Sequence, residues 1–201
     1  MKNDFGYKAG KANIALKLDD YYVWDCSVIK SGGKYHMFSS RWKKEYGFGW
    51  NWLFNSEIIH SVSDKPEGPF IPQPHPIRGS FSIDPCVFKD DDGQIYCYFG
   101  GLWGGQLQWY TLTPAATDNE EGCVVMGPAA DKKTPLFLPA DTPAVPSMVV
   151  RMSDDVLQFA EAPHAVVILD ETGEPMKAGD PHRFFEASWM HKYKGKYYFS
   201  Y

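Results

Sequence analysis

Asp25-Cys26-Ser27-Val28-Ile29-Lys30, followed by Gly33-Lys34-Tyr35-His36-Met37-Phe38, decides the fold because it comes back twice. The second copy is Asp84-Pro85-Cys86-Val87-Phe88-Lys89, followed by Gly93-Gln94-Ile95-Tyr96-Cys97-Tyr98-Phe99. The third is Glu186-Ala187-Ser188-Trp189-Met190-His191-Lys192, followed by Gly195-Lys196-Tyr197-Tyr198-Phe199. From the leading acid to the glycine is 8, 9 and 9 residues. Each copy reads as a strand, a Gly-bearing turn and an aromatic strand, which is a β-hairpin. Two copies carry a matching second half, 56–64 and 147–155, each ending in a Ser-Asp turn. A further short strand is expected after each, at 68–70 and at 165–169.

Two hairpins in series make a four-stranded antiparallel unit of roughly 50–60 residues, the size of a propeller blade. A blade cannot bury both faces alone and must stack on neighbours. The expected fold is therefore an all-β propeller in a single domain, 1–201, with blade-like units at about 21–72, 80–169 and 183–201. The second unit holds a long insertion and the third stops in mid-blade. Two and a half to three blades do not close a ring, so the chain is expected to be a fragment or to be completed by partner chains through self-association. The first strand of a blade lines the central channel. Acids at the start of three successive first strands would converge on one mouth of it.

Composition agrees. Aromatic residues make up 16% of the 201, with 18 Gly and 15 Pro, a mixture that suits short strands and tight turns better than a helix bundle. Twenty basic and 25 acidic residues give a net charge of −5, against a nucleic-acid binder that works by neutralising phosphates. No run approaches 18 apolar residues, so no membrane-spanning helix is expected. No apolar stretch follows Lys2, so a cytoplasmic location is expected; a chain that had lost its true N-terminus would also have lost a signal. Cys26, Cys86, Cys97 and Cys123 are dispersed without a CxxC pair and read as reduced, buried strand residues.

Asp25, Asp84 and Glu186 stand where strand starts are usually apolar. Inverting glycoside hydrolysis needs two carboxyl groups about 6.5–9.5 Å apart, one to protonate the leaving oxygen and one to deprotonate water. A third nearby can raise and orient the acid by like-charge repulsion. The plain alternative is that each acid caps a strand or accepts a neighbouring amide. Asp90-Asp91-Asp92-Gly93 lacks the ligand spacing of an EF-hand loop and reads as a hairpin turn. Trp42, Trp50, Trp52 and Trp103 have the faces to stack on pyranoses, or equally to pack between strands. His36, His60 and His191 fall in strand patterns and read as structural, and no metal ligand set is identified.

The run 82–93, with its Ile-Asp-Pro and Asp-Asp-Asp-Gly ends, resembles a signature of family 43 glycoside hydrolases. Arg183-Phe184-Phe185-Glu186-Ala187-Ser188-Trp189-Met190-His191-Lys192 resembles that family's general-acid motif. Phe99-Gly100-Gly101-Leu102-Trp103-Gly104-Gly105-Gln106-Leu107-Gln108 resembles members that act as β-xylosidases or arabinofuranosidases. The resemblance implies a five-bladed β-propeller and inverting cleavage of xylose- or arabinose-containing saccharides of the plant cell-wall type. It makes Glu186 the general acid and Asp84 the residue that tunes and orients it. Val23-Trp24-Asp25-Cys26-Ser27-Val28-Ile29-Lys30 resembles the base motif with Cys26 in place of Pro, which makes Asp25 the general base. It also resembles the motif of the following blade, in which case Asp25 is not the base; the 59 residues to Asp84 are few for a base-to-modulator interval. Trp103, Gln106 and Trp24 are the candidate sugar-binding side chains. No cofactor is expected: the calcium centre of some members draws on a later blade, and no ligands for it are identified here. The competing expectation is a non-catalytic sugar-binding propeller fragment, or an inactive remnant of such an enzyme.

Overall fold

Gly32 and Gly33 both have positive φ, 54° and 80°, the backbone that a two-residue hairpin turn needs to match the twist of its strands. In the computed structural model, which describes residues 14–49, 52–80, 82–100, 117–118, 124–125 and 139–201, this turn joins β1 (Tyr21–Ser31) to β2 (Lys34–Lys43). β3 (Glu57–Ser63) and β4 (Ile71–Pro72) complete a four-stranded antiparallel sheet in chain order. One turn of helix, Trp52–Asn55, and one 3-10 turn, Lys44–Tyr46, lie between β2 and β3. The fourth strand sits just beyond the expected 68–70. Gly68 takes a positive φ, Pro69 has no N–H, and the Phe70 amide goes to the Ala15 carbonyl at 2.7 Å, so pairing begins at Ile71.

The second sheet has the order β10-β9-β6-β5, built from β5 (Cys86–Lys89), β6 (Ile95–Phe99), β9 (Ser147–Arg151) and β10 (His164–Val166). A two-residue pair, β7 (Thr117–Asp118) with β8 (Val124–Val125), lies in the insertion between β6 and β9. The strand expected at 165–169 ends at Val166, because the Ile168 carbonyl accepts the Met176 amide at 2.9 Å and Leu169 bridges Pro175. The third unit is a hairpin, β11 (Trp189–Tyr193) and β12 (Lys196–Ser200).

β5 lies between β1 and β11, so the first strands of the three units run side by side as the inner strands of stacked blades. That is β-propeller architecture. The core is correspondingly an inter-blade layer: Phe38 and Ile58 of the first sheet pack with Val87, Ile95, Cys97, Phe99 and Val150 of the second. At the centre of this contact the Val87 amide donates to the buried Ser27 Oγ at 2.9 Å, joining the two inner strands. Cys86 and Cys97 are buried free thiols as expected, but Cys26 is exposed. It follows a slip in the β1–β2 register between Trp24 and Cys26, which turns its side chain out of the alternation. Cys123 lies outside the described residues.

Two substitutions test the inter-blade core. Phe38→Ala, at a fully buried position, is expected to cost about 3–5 kcal/mol of unfolding free energy by denaturant titration. Val28→Ala, on the adjoining strand but 40% exposed, is expected to change it by less than about 0.5 kcal/mol.

Candidate active site

Asp25, Asp84 and Ala187 all have left-handed backbone, at φ 45°, 55° and 58°. This region is uncommon outside glycine, tolerated by Asp and costly for Ala, at about 1–3 kcal/mol each. Its recurrence at one phase of the three units means that each inner strand begins or kinks at the same place. In β1 the kink is the register slip at Asp25, inside the strand and not at its start; β5 and β11 each begin two residues after it. The structural repeat thus aligns Asp25 and Asp84 with Ala187, and Glu186 lies one residue earlier. The equal 9-residue spacings had different origins. In the second unit the extra residue belongs to the longer turn around Asp90–Gly93, and in the third to the upstream position of Glu186.

The three acids nevertheless meet. Asp84 is half-buried, hydrogen-bonded to the side chain of Asp25, and its Oδ2 accepts the Ala187 amide at 2.8 Å. Burial, the bond to Asp25 and the charges of Asp25 and Glu186 push its pKa up to about 8, against the opposing pull of the Ala187 N–H. Burial and neighbouring like charge thus favour the protonated form of Asp84. The Glu186 carboxyl is raised too, first by burial and then by the charge of Asp25. Asp25 itself is exposed, open to water and to a ligand. The group therefore has a carboxyl of strongly raised pKa at its centre, a second raised carboxyl three residues ahead of β11, and one solvent-facing carboxyl.

Trp24 is placed beside the group but turned into an aromatic cluster, edge-on to Trp42 at 5.3 Å and to Trp52 at 5.1 Å between ring centres. Its Nε1 is buried without a hydrogen-bond partner. Trp42 is fully buried and donates its Nε1–H to the Gly47 carbonyl, so it packs and does not present a platform. Trp50, Trp103 and Gln106 lie outside the described residues. His36 and His60 form a buried pair, Nδ1 to Nε2 at 2.9 Å, and His60 is depressed to about 4 by burial and by His36. His191 is exposed and stacks on Tyr198. Among the described residues no group of three or more His, Cys, Asp or Glu is arranged to hold a metal ion.

Sequence reasoning passed over the far end of β11. Lys192 Nζ donates to Asp90 Oδ1 and Asp91 Oδ2, both at 2.8 Å, and Tyr197 Oη donates to Asp90 Oδ2 at 2.6 Å. The Asp-rich turn is thus both a hairpin turn and a clamp on the next blade. The Lys192 and Tyr197 bonds hold Asp90 down at about 2. The signal was available only as an acidic turn followed, one unit later, by a basic strand.

The raised pKa of Asp84 has a definite sign in stability. Unfolded Asp84 ionises near pH 4, while the folded protein holds the proton to about pH 8, so folding stability falls as pH rises through that interval. Asp84→Asn, which carries no ionisable group, is expected to gain melting temperature relative to wild type as the pH is raised from about 5 to about 9. Melting curves that keep a constant separation across that range would refute the retained proton.

Comparison with known proteins gives the family of the chain. The family model for glycosyl hydrolases family 43 matches residues 11–136. A β-xylosidase of Xylanibacter ruminicola is 55% identical over 179 residues, 89% of this chain and 49% of its own length. A xylosidase/arabinosidase of Humicola insolens is 47% identical over 195 residues, 94% of this chain and 54% of its own. Among solved structures, a β-xylosidase/α-arabinofuranosidase of family 43 from a compost microbial metagenome, in complex with xylotriose, superposes with a TM-score of 0.72 at 42% identity; the match covers 89% of this chain and 48% of that one. A family 43 enzyme of Xanthomonas citri, also complexed with xylotriose, gives a TM-score of 0.70 at 36% identity, over 89% of this chain and 47% of that one. The chain spans about half the length of the curated relatives it matches. With the family model covering well over half of its residues, the chain belongs to glycosyl hydrolases family 43.

Proposed function

We propose that the protein is a glycoside hydrolase that cleaves xylose- or arabinose-containing oligosaccharides with inversion at the anomeric carbon. The observation that carries this reading is the Asp84 carboxyl, bonded on one side to Asp25 and on the other to the amide next to Glu186. The names of the relatives, β-xylosidase and xylosidase/arabinosidase, and the xylotriose held by two solved ones supply the substrate class.

In this mechanism Glu186, with its pKa raised, enters protonated and gives its proton to the glycosidic oxygen as the bond from that oxygen to C1 breaks. Asp25, the exposed carboxylate, takes a proton from a water whose oxygen bonds to C1 from the opposite face. The products are a free sugar of inverted configuration and an alcohol, and both carboxyls return to their starting states by proton exchange with solvent. Asp84 does not touch the reacting atoms. Its retained proton orients Asp25, and its acceptor oxygen fixes the strand that presents Glu186.

Glu186→Gln is expected to lower turnover of xylobiose by about a hundredfold to ten-thousandfold while leaving the melting temperature near wild type. A para-nitrophenyl xyloside, whose leaving group needs less protonation, is expected to lose less. Proton NMR of the first-formed sugar should show the anomer opposite to that of the substrate. Unchanged turnover by Glu186→Gln, retained configuration, or calorimetric sugar binding with no turnover by the wild type would each overturn the reading.

A further inference from the structure

We propose that Cys86 is a positioning residue for the acid strand: its thiol sulfur, by accepting the Met190 amide, sets the place from which Glu186 reaches the site. The contact is 3.3 Å from N to Sγ, and Cys86 is 1% exposed.

The repeat makes this more than a close approach. Counting from the left-handed residue of each unit, Ser27 is two after Asp25, and Cys86 is two after Asp84. Their donors, Val87 and Met190, are each three after the left-handed residue of the next unit, Asp84 and Ala187. The same inter-strand bond is therefore made twice, by oxygen between the first two inner strands and by sulfur between the second and third. At the corresponding position of the third unit stands Trp189, whose indole N–H can only donate. The device ends at the strand that carries the acid.

Its place explains its use. Ala187 is bonded to Asp84 and Met190 to Cys86, two acceptors two residues apart on one strand gripping two amides three apart on the next. Glu186 is the residue just before this doubly held segment. Losing the Met190 bond would leave Ala187, in a strained conformation, restrained by Asp84 alone. Burial pushes the Cys86 thiol up, so it remains a neutral thiol and is no candidate nucleophile. The role needs an acceptor of modest size and no charge, which a serine hydroxyl also supplies and a valine of similar volume does not.

This inference rests on the proposed role of Glu186 for its kinetic readout, so the test includes one that needs no turnover. In Cys86→Val, hydrogen exchange of the Met190 amide is expected to lose protection, and in Cys86→Ser to keep it. In kinetics, Cys86→Val is expected to lower kcat about tenfold with little change in KM, since a misplaced acid costs rate and not ground-state binding. Freed toward solvent, Glu186 would ionise at lower pH, so the high-pH limb of the kcat profile moves down. Cys86→Ser is expected to restore both. Should Cys86→Val not fold, Cys86→Ala gives the same comparison. Unchanged Met190 protection in the apolar variant, an unmoved pH profile with only a lower melting temperature, or failure of serine to rescue would overturn the inference. Absence of wild-type turnover would instead overturn the proposed function, with the exchange measurement still deciding on Cys86.

Discussion

A half-buried carboxyl that keeps its proton is expensive to hold unless its surroundings are built for it, and the arrangement of the inner strands follows from that constraint. Asp84 has left-handed backbone and lies two residues ahead of β5, between the first and third units. One neighbour offers Asp25 and the other offers the Ala187 amide. Each flanking strand must bend at the same level to make these contacts, which accounts for non-glycine residues in left-handed conformations at Asp25 and Ala187. The strain of three such residues is distributed along the edge of the site and balanced by bonds that cross between blades.

Those cross-blade bonds divide into two sets at opposite ends of β11. At the site end they run from backbone amides to side chains, from Ala187 to Asp84 at 2.8 Å and from Met190 to Cys86 at 3.3 Å. At the turn end they are ionic, through Lys192, Asp90 and Asp91; the pair with Asp91 is open to solvent, where ion pairs contribute less to stability. The hairpin of β11 and β12 exposes Trp189, Tyr193, Tyr197 and Tyr198, and between its two fastened ends Phe199 packs on Tyr98 and Phe184. Between the first two units the balance differs: a contiguous apolar layer carries the contact and a single buried serine fixes its register.

Much of this was legible in the chain. The repeat of acid, strand, glycine turn and aromatic strand revealed hairpins and their order, because turn glycines and alternation are local properties. It also brought Asp25, Asp84 and Glu186 to one place, since residues at one phase of a stacked repeat converge. The one-residue offset of Glu186 was not legible. A spacing of 9 arises from a longer turn in one unit and from an upstream acid in another, and only backbone dihedrals separate the two. The exposure of Cys26 was hidden for a related reason, since a register slip reverses the alternation without altering composition. The uses of Cys86 and Lys192 depend on which amide or carboxylate faces them across a gap of about a hundred residues, a tertiary fact with no local trace. The ring contacts of Trp24 with Trp42 and Trp52 were likewise not legible, since they join residues 18 and 28 positions apart.

The buried histidine pair, set between β2 and β3 away from the carboxyls, bears on them through the proton balance of folding. His60 and His36 are held below the ordinary imidazole value of 6.5, so unfolding takes up protons in mild acid and stability falls as pH drops below that value. Asp84 and Glu186 are held above the ordinary carboxylate values, so unfolding releases protons and stability falls as pH rises. From about pH 4 to about pH 6.5 the two linkages act together with opposite signs, and each offsets the other. The imidazoles thereby oppose the carboxyls across mild acidity, and above that range their linkage no longer offsets that of the carboxyls.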